Sequence, residues 1–213
     1  MPFSKPRVDV FSRGAAQYDL WYEKHRFLYL SELKLISSLS GFPAPSLEVG
    51  VGTGRFASLL KIKIGLDPSL PMLKIASQRG IQPVLGLGEK LPFSSGTLAS
   101  VLMAITLCFL EDPLQALKEV YRVLYPGGEL VLAFVERDSP WGGYYYRKPS
   151  PFYRVARFFS FGEVEGMLKE SGFNMERTMQ VLFYPPGSEE RLEESLEGTG
   201  RGSFLGILAR KPY

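Results

Sequence analysis

The stretch Ser46-Leu47-Glu48-Val49-Gly50-Val51-Gly52-Thr53-Gly54-Arg55 decides the fold. A short β-rich run, 46 to 49, enters three glycines spaced by single residues, and a brief helical pattern, Phe56 to Leu60, leaves them. Glycines so placed permit a tight turn and bring bare backbone, with the N–H groups that open a helix, against a ligand. A nicotinamide-binding turn reads G-x-G-x-x-G with an acid about 20 residues further on. Here the spacing is G-x-G-x-G, one acid precedes it (Glu48), and the next acid is Asp67, 13 positions after Gly54. That spacing, with no Tyr-Lys or His pattern of a dehydrogenase, argues against hydride chemistry.

Outward from this turn, β-rich runs alternate with helical patterns. Upstream, Tyr18, Trp21, Tyr22, Phe27, Leu28, Leu30, Leu33 and Ile36 recur at helical intervals between Gly14 and Leu39. Downstream, strands are expected over 61–67, 82–85, 100–106 and 129–135, with helices from Pro68 to about Arg79 and from Asp112 to Leu124. Asp112 suits an N-cap and Pro113 the first helical position, and Pro126-Gly127-Gly128 is a stop signal. An aromatic loop, Glu136 to Tyr153, precedes a helix over 161–171 and two last strands, 174–183 and 203–210. Such alternation implies a parallel sheet covered on both faces. The last two strands lack an intervening helix and are expected as an antiparallel edge pair. The expectation is an α/β, doubly wound, Rossmann-like sheet of seven strands, binding its ligand at the strands' carboxyl ends.

Composition narrows the chemistry. At 213 residues the chain suits one domain of roughly 150 residues with a small appendage. Lys and Arg total 25 against 22 Asp and Glu, a formal charge of +3, which does not suit a dedicated polyanion binder. One cysteine (Cys108) excludes an internal disulfide framework and fits a reducing cytoplasm. One histidine (His25) excludes His-pair metal sites, so no metal is expected. The uncharged run from Leu91 to Leu110 contains Pro92 and Gly96 and reads as a buried strand with its turn, not a membrane span.

Glu48 to Gly54 resembles motif I of class I S-adenosylmethionine-dependent methyltransferases, and the resemblance covers roughly 11 to 210. Gly65-Leu66-Asp67-Pro68-Ser69, with Pro71-Met72-Leu73 behind it, is similar to the family's second motif, and Gly86-Leu87-Gly88-Glu89-Lys90-Leu91-Pro92-Phe93 to its third. Leu110 to Pro113 and Arg122 to Gly128 match the stretches around the fourth helix and fifth strand. The branch it most resembles is the small-molecule group that includes ubiquinone and menaquinone biosynthesis enzymes.

The resemblance implies S-adenosylmethionine as cofactor and S-adenosylhomocysteine as product. It implies that Gly50, Val51, Gly52 and Gly54 pass beneath the methionine part, that Glu48 holds its ammonium group, and that Asp67 accepts both ribose hydroxyls. Asp67 could instead cap the helix at Pro68, and Glu48 could bond the loop's own N–H groups. Pro68 and Met72 would lie against adenine, Gly88 and Glu89 would read the ring through backbone N–H groups, and Ile105 and Thr106 would face the amine and the methyl. Three departures stand out: the short link from Gly54 to Asp67, Leu87 where an Asp is common, and Ala99 where a carboxylate is common.

Under this reading 1–43 forms a helical cap, 44–136 the cofactor core, 137–160 an aromatic lid loop, and 161–213 the last helix and edge strands. Candidate general bases are His25, on the cap, and Glu136, at the ligand end of strand five. Tyr18, Tyr22, Trp141 and Tyr145 are candidate contacts for an aromatic or cationic acceptor. The expected partner is a small-molecule acceptor, methylated at N, O, C or S in a monomer or homodimer. The alternatives are a non-catalytic cofactor-binding subunit and, less favoured, a nucleic-acid methyltransferase, for which Arg147, Lys148, Arg154 and Arg157 beside aromatics would serve.

Overall fold

Each face of the central sheet is closed by its own set of helices, and the computed structural model describes this arrangement for residues 6–213. Positions 1 to 5 of the expected cap lie outside the described residues. The N-terminal part is three helices, α1 (Pro6–Arg13), α2 (Ala15–Lys24) and α3 (Arg26–Leu39). The single helix expected from Gly14 to Leu39 is broken at His25, whose φ of −113° and ψ of 49° are not helical.

The alternating core follows: β1 (Ser46–Val49), α4 (Arg55–Leu59), β2 (Ile64–Asp67), α5 (Leu70–Gln78), β3 (Gln82–Leu85) and β4 (Leu98–Ala104). The short link after Gly54 leaves room for only five residues of α4. A single 3-10 turn, Leu107–Phe109, leads to α6 (Pro113–Val123) and β5 (Leu124–Val135). The uncharged run is explained by β4, which is buried on both faces: Val101 and Met103 join one apolar cluster, Leu102 and Ala104 the other. Asp112 caps α6, its Oδ1 accepting the Gln115 N–H at 3.0 Å. Ala116, Leu117, Val120 and Val123 form the buried stripe of α6. The Pro126-Gly127-Gly128 turn does not end that helix. Leu124 already pairs with Leu98, and the turn fills a register shift before Ser100 meets Glu129.

Two expectations need correction. The segment from Glu136 to Tyr153 is not a loop but carries α7 (Pro140–Arg147) and α8 (Pro151–Arg154). Ser139 Oγ accepts the Gly142 N–H at 3.1 Å and Pro140 opens α7, a start signal that outweighs the glycine pair. After α9 (Phe161–Glu170) come β6 (Asn174–Val181), β7 (Leu196–Glu197) and β8 (Phe204–Arg210). The sheet therefore has eight strands rather than seven, in the order β3-β2-β1-β4-β5-β8-β6-β7. The extra strand is two exposed residues of the Glu-rich tract on the outer edge of β6, too polar to read as a strand.

Strands β1 to β5 pair in parallel, and β8 and β6 run antiparallel at the other end. The order reverses between β1 and β4, so the ligand crevice lies at their carboxyl ends. Residues of α2, α3, α5 and α7 close one face, and α6 and α9 the other. Among the described residues no helix is long and apolar enough to cross a membrane.

Candidate active site

The switch point opens into a cavity lined by residues of the loops after β1, β2, β3 and β4. Its floor is the loop after β1. Gly50 and Gly52 have φ of +73° and +52°, a conformation that L side chains rarely adopt. The Gly50 and Val51 N–H groups donate to the Leu66 carbonyl at 2.7 and 3.0 Å, fixing the loop against β2. Asp67 closes one side: its Oδ2 accepts the Gly52 N–H at 2.9 Å and its Oδ1 the Ser69 N–H at 2.8 Å. Ser69, not Asp67, caps α5, with its Oγ accepting from Met72 N at 3.4 Å.

Pro68, Met72, Leu87, Gly88 and Glu89 form the wall beyond Asp67, and Ile105 and Thr106 the wall opposite. The Leu87–Lys90 turn is closed by a 3.2 Å backbone bond, and Glu89 Oε1 accepts the Glu111 N–H at 2.9 Å. From α1, Arg7, Val8 and Phe11 cover the opening, a contribution that the sequence reading missed. Arg7 is tied down by bonds to the Val155 and Leu110 carbonyls at 3.1 and 2.8 Å.

An aminoacyl nucleoside fits these residues. Burial pushes the Asp67 carboxyl up to about 6, against the opposing pull of the Ser69 and Gly52 N–H groups, so it is anionic at neutral pH and available to hydroxyl donors. One residue before the wall residue Val49, Glu48 is buried and its Oε2 has no hydrogen-bond partner. Burial holds its carboxyl well above the usual range. Val49 lines the cavity, so by strand alternation Glu48 is directed to the other side, and it is not among the wall residues of either cavity. Met72, fully buried, offers a polarizable thioether to a flat base.

A second cavity of about 1120 Å³ adjoins the first. Tyr18, Ile105 and Phe109 belong to both walls and form the partition. Ile105 is held at φ +54°, an outlier for a β-branched residue, with its N–H bonded to the Ala133 carbonyl at 2.8 Å. Tyr22 and Tyr145 line this second chamber, and the Tyr18 and Tyr22 hydroxyls lie 2.7 Å apart. Burial raises both phenols far above their ordinary value, so both stay neutral. Cys108 also lines it, and burial pushes its thiol up to about 12, which makes it a small apolar wall residue and not a thiolate.

Several expected residues lie elsewhere. Val51 faces away from the cavity and packs against Gly65, and Gly54 lies against Ala76 of α5. Trp141 sends its Nε1–H to the Tyr184 carbonyl at 2.9 Å and reaches neither cavity wall. His25 sits at the α2–α3 break with Nδ1 2.5 Å from Glu190 Oε1, which ties the cap to the Glu-rich tract and outside both walls. Val135 lines the second chamber, so by strand alternation the next residue, Glu136, is directed to the other side. Conversely, Glu32 of α3 lines the second chamber and was missed. Its signal is a charge on the apolar stripe Leu28, Tyr29, Leu35, Ile36.

Comparison with known proteins agrees with this geometry. Residues 47–132 match the methyltransferase domain family. A crystal structure from Thermotoga maritima, described as an S-adenosylmethionine-dependent methyltransferase and possible histamine N-methyltransferase, superimposes with a TM-score of 0.91 at 41% identity over 96% of this chain and 99% of that one. An uncharacterised protein of Methanocaldococcus jannaschii is 39% identical, with 96% of this chain and all of that one covered. A demethylmenaquinone methyltransferase of Lactiplantibacillus plantarum is 33% identical over 60% of this chain and 69% of its own length. Glycine turn, Asp67 wall, sheet order and relatives agree: the chain belongs to the class I S-adenosylmethionine-dependent methyltransferases.

Proposed function

We propose that the protein methylates a small molecule held in the second chamber, by in-line displacement across the partition formed by Tyr18, Ile105 and Phe109. The observation that carries this is the pair of adjoining cavities with three shared wall residues. A non-catalytic cofactor-binding subunit would have no need of the second one.

S-adenosylmethionine supplies, when bound, a methyl group already made electrophilic by its sulfonium. The chain's own residues do the rest. Asp67 and the β1 loop hold the nucleoside side, and the strained Ile105 backbone fixes the partition so that an acceptor lone pair can approach in line. Aromatic walls from Tyr18, Tyr22, Tyr145 and Tyr153 exclude water. Neither His25 nor Glu136 reaches this chamber, so any acid–base help falls to groups that do. Relatives whose names specify small acceptors, such as the demethylmenaquinone enzyme, support a small-molecule substrate.

The test is a methyl-transfer screen with labelled S-adenosylmethionine over amines, phenols, thiols and quinol precursors, with RNA and protein as comparators. Transfer to a small molecule is expected. Transfer confined to RNA or protein would overturn the reading.

A further inference from the structure

Glu32 is 2% exposed, yet it lines the second chamber. Its Oε2 has no hydrogen-bond partner, and among the described residues it enters no ion pair. Its neighbours on the same stripe of α3, Leu28, Tyr29, Leu35 and Ile36, are ordinary core residues. A leucine there would pack at no electrostatic cost, whereas a lone buried carboxyl is expensive. The surrounding wall is made of rings, among them Trp21, Tyr22, Tyr145, Tyr153 and Phe158. Ring faces attract cations, and one of these already does: the Lys148 ammonium lies 5.9 Å from the Tyr153 ring centroid and 5.1 Å from that of Tyr144.

We propose that Glu32 anchors the methyl acceptor, and that this acceptor is a cationic amine on an apolar or aromatic body. The proposal rests on the reading of the second chamber as the acceptor site. The ammonium would satisfy the orphan carboxylate while the rings enclose the body, and the reacting atom would be presented toward Ile105. Glu32 acts here by binding and positioning; no bond is made or broken at it.

Protonation follows from the same geometry. Burial pushes the Glu32 carboxyl up to about 8, so in the empty chamber it holds its proton at neutral pH. An arriving ammonium replaces that proton, which leaves to buffer, and the chamber's charge balance is kept. The titratable groups around Glu32 are the hydroxyls of Tyr22, Tyr29, Tyr145 and Tyr153, all raised by burial and neutral. Tyr18 and Cys108, likewise raised and neutral, and Lys148 complete the ionisable part of the wall. Amine affinity should therefore rise with pH up to about 8, with uptake of the amine accompanied by proton release.

The experiment is calorimetric titration of the full chain, saturated with S-adenosylhomocysteine, with phenethylamine and with its neutral counterpart, phenethyl alcohol, in two buffers of different ionisation enthalpy. The expected result is binding of the amine about tenfold or more tighter than the alcohol, corresponding to one charge-assisted contact, with a proton released near neutral pH. Glu32→Gln should lose both the preference and the proton release while binding S-adenosylhomocysteine as wild type does. Glu32→Asp should retain part of the preference. An amine preference that survives in Glu32→Gln, or no amine preference in wild type (binding of neither probe included), would overturn the proposal. Failure of wild type to bind S-adenosylhomocysteine at all would instead strike the methyltransferase reading beneath it.

Discussion

Gly50 lies directly against Thr106, so that a β-carbon at position 50 would come within 2.5 Å of the Thr106 hydroxyl oxygen. The single Thr106 hydroxyl proton is shared between the Val49 and Ala104 carbonyls, at 3.0 and 3.1 Å from Oγ1, which holds the side chain in place. Gly50 and Thr106, 56 positions apart in sequence, thus meet at one corner of the first cavity.

Gly50→Ala should therefore be harmful twice over. An L-residue at φ +73° costs about 1–2 kcal/mol, and the contact with Thr106 must also give. The expected outcome is a lowered melting temperature together with weakened S-adenosylhomocysteine binding. A Gly50→Ala/Thr106→Ala pair should recover part of the stability, because the clashes with the Thr106 hydroxyl and methyl are gone while the 3.0 Å contact with the residue-106 β-carbon and the backbone strain remain.

Asp67→Asn removes an anionic acceptor from the wall of the first cavity but keeps its shape. Hydrogen bonds to a charged group contribute about 1.5–3 kcal/mol, so affinity for S-adenosylhomocysteine should fall about tenfold to a hundredfold. The wild-type carboxyl, raised to about 6 by burial, becomes neutral below that pH. Wild-type affinity should therefore decline as pH falls through about 6, and the Asn variant should show no such step.

The ligand-free protein should grow less stable toward alkaline pH. Asp67 is raised to about 6 and Glu32 to about 8, and Glu48 lies well above the ordinary range, each through burial. The folded state therefore binds more protons than the unfolded one, whose carboxyls titrate near 4. Stability contributed by these groups is highest below about pH 4 and falls as pH rises to about 8. Asp19, lowered despite its burial by hydrogen bonds from Arg55 and Arg79, acts oppositely: its contribution is present above about pH 4 and lost below. Melting temperature without ligand should peak near pH 4–5 and decline toward 8, and saturation with S-adenosylhomocysteine should flatten that decline. A melting temperature that climbs steadily from pH 5 to 8 would contradict the assignment.

Asp19 also clasps the cap to the core. Its Oδ1 and Oδ2 accept from Arg55 at 2.9 and 2.8 Å, and Oδ2 accepts from Arg79 at 2.8 Å, joining α2 to the start of α4 and the end of α5. These groups are partly exposed, so Asp19→Asn should cost only about 0.5–1 kcal/mol. Backbone amides of α2 should exchange faster, and affinity for S-adenosylhomocysteine should drop about twofold to fivefold through the loosened Tyr18 wall.

The Rossmann-like sheet was readable because β1, β2 and β4 are short, largely apolar runs and β3 a short, mostly exposed one, punctuated by Gly and Pro, a local signal that tertiary context did not override. Part of the first cavity's wall was also legible, since Asp67, Met72 and Gly88 lie in stretches that carry the family resemblance. The helices over 140–154 were hidden by Gly142 and Gly143. Gly142 is needed there because a β-carbon would collide with the Glu136 and Arg137 carbonyls, a contact between neighbouring turns that no spacing rule reveals. His25 drew attention as the lone histidine, but its partner Glu190 is 165 residues away and could not be foreseen. Glu32 stands out in the sequence only as a charge on the apolar stripe of α3, and that it lines a chamber shows once α7 and α8 are seen to share its wall.

One titration bears on the central claim most directly: S-adenosylhomocysteine into wild type, into Asp67→Asn and into Gly52→Val, whose new side chain would strain a backbone at φ +52° beside Tyr18. A single site per chain in wild type, weakened in Asp67→Asn and abolished in a still-folded Gly52→Val, is the expected result. No heat of binding in wild type, or binding indifferent to both substitutions, would contradict it.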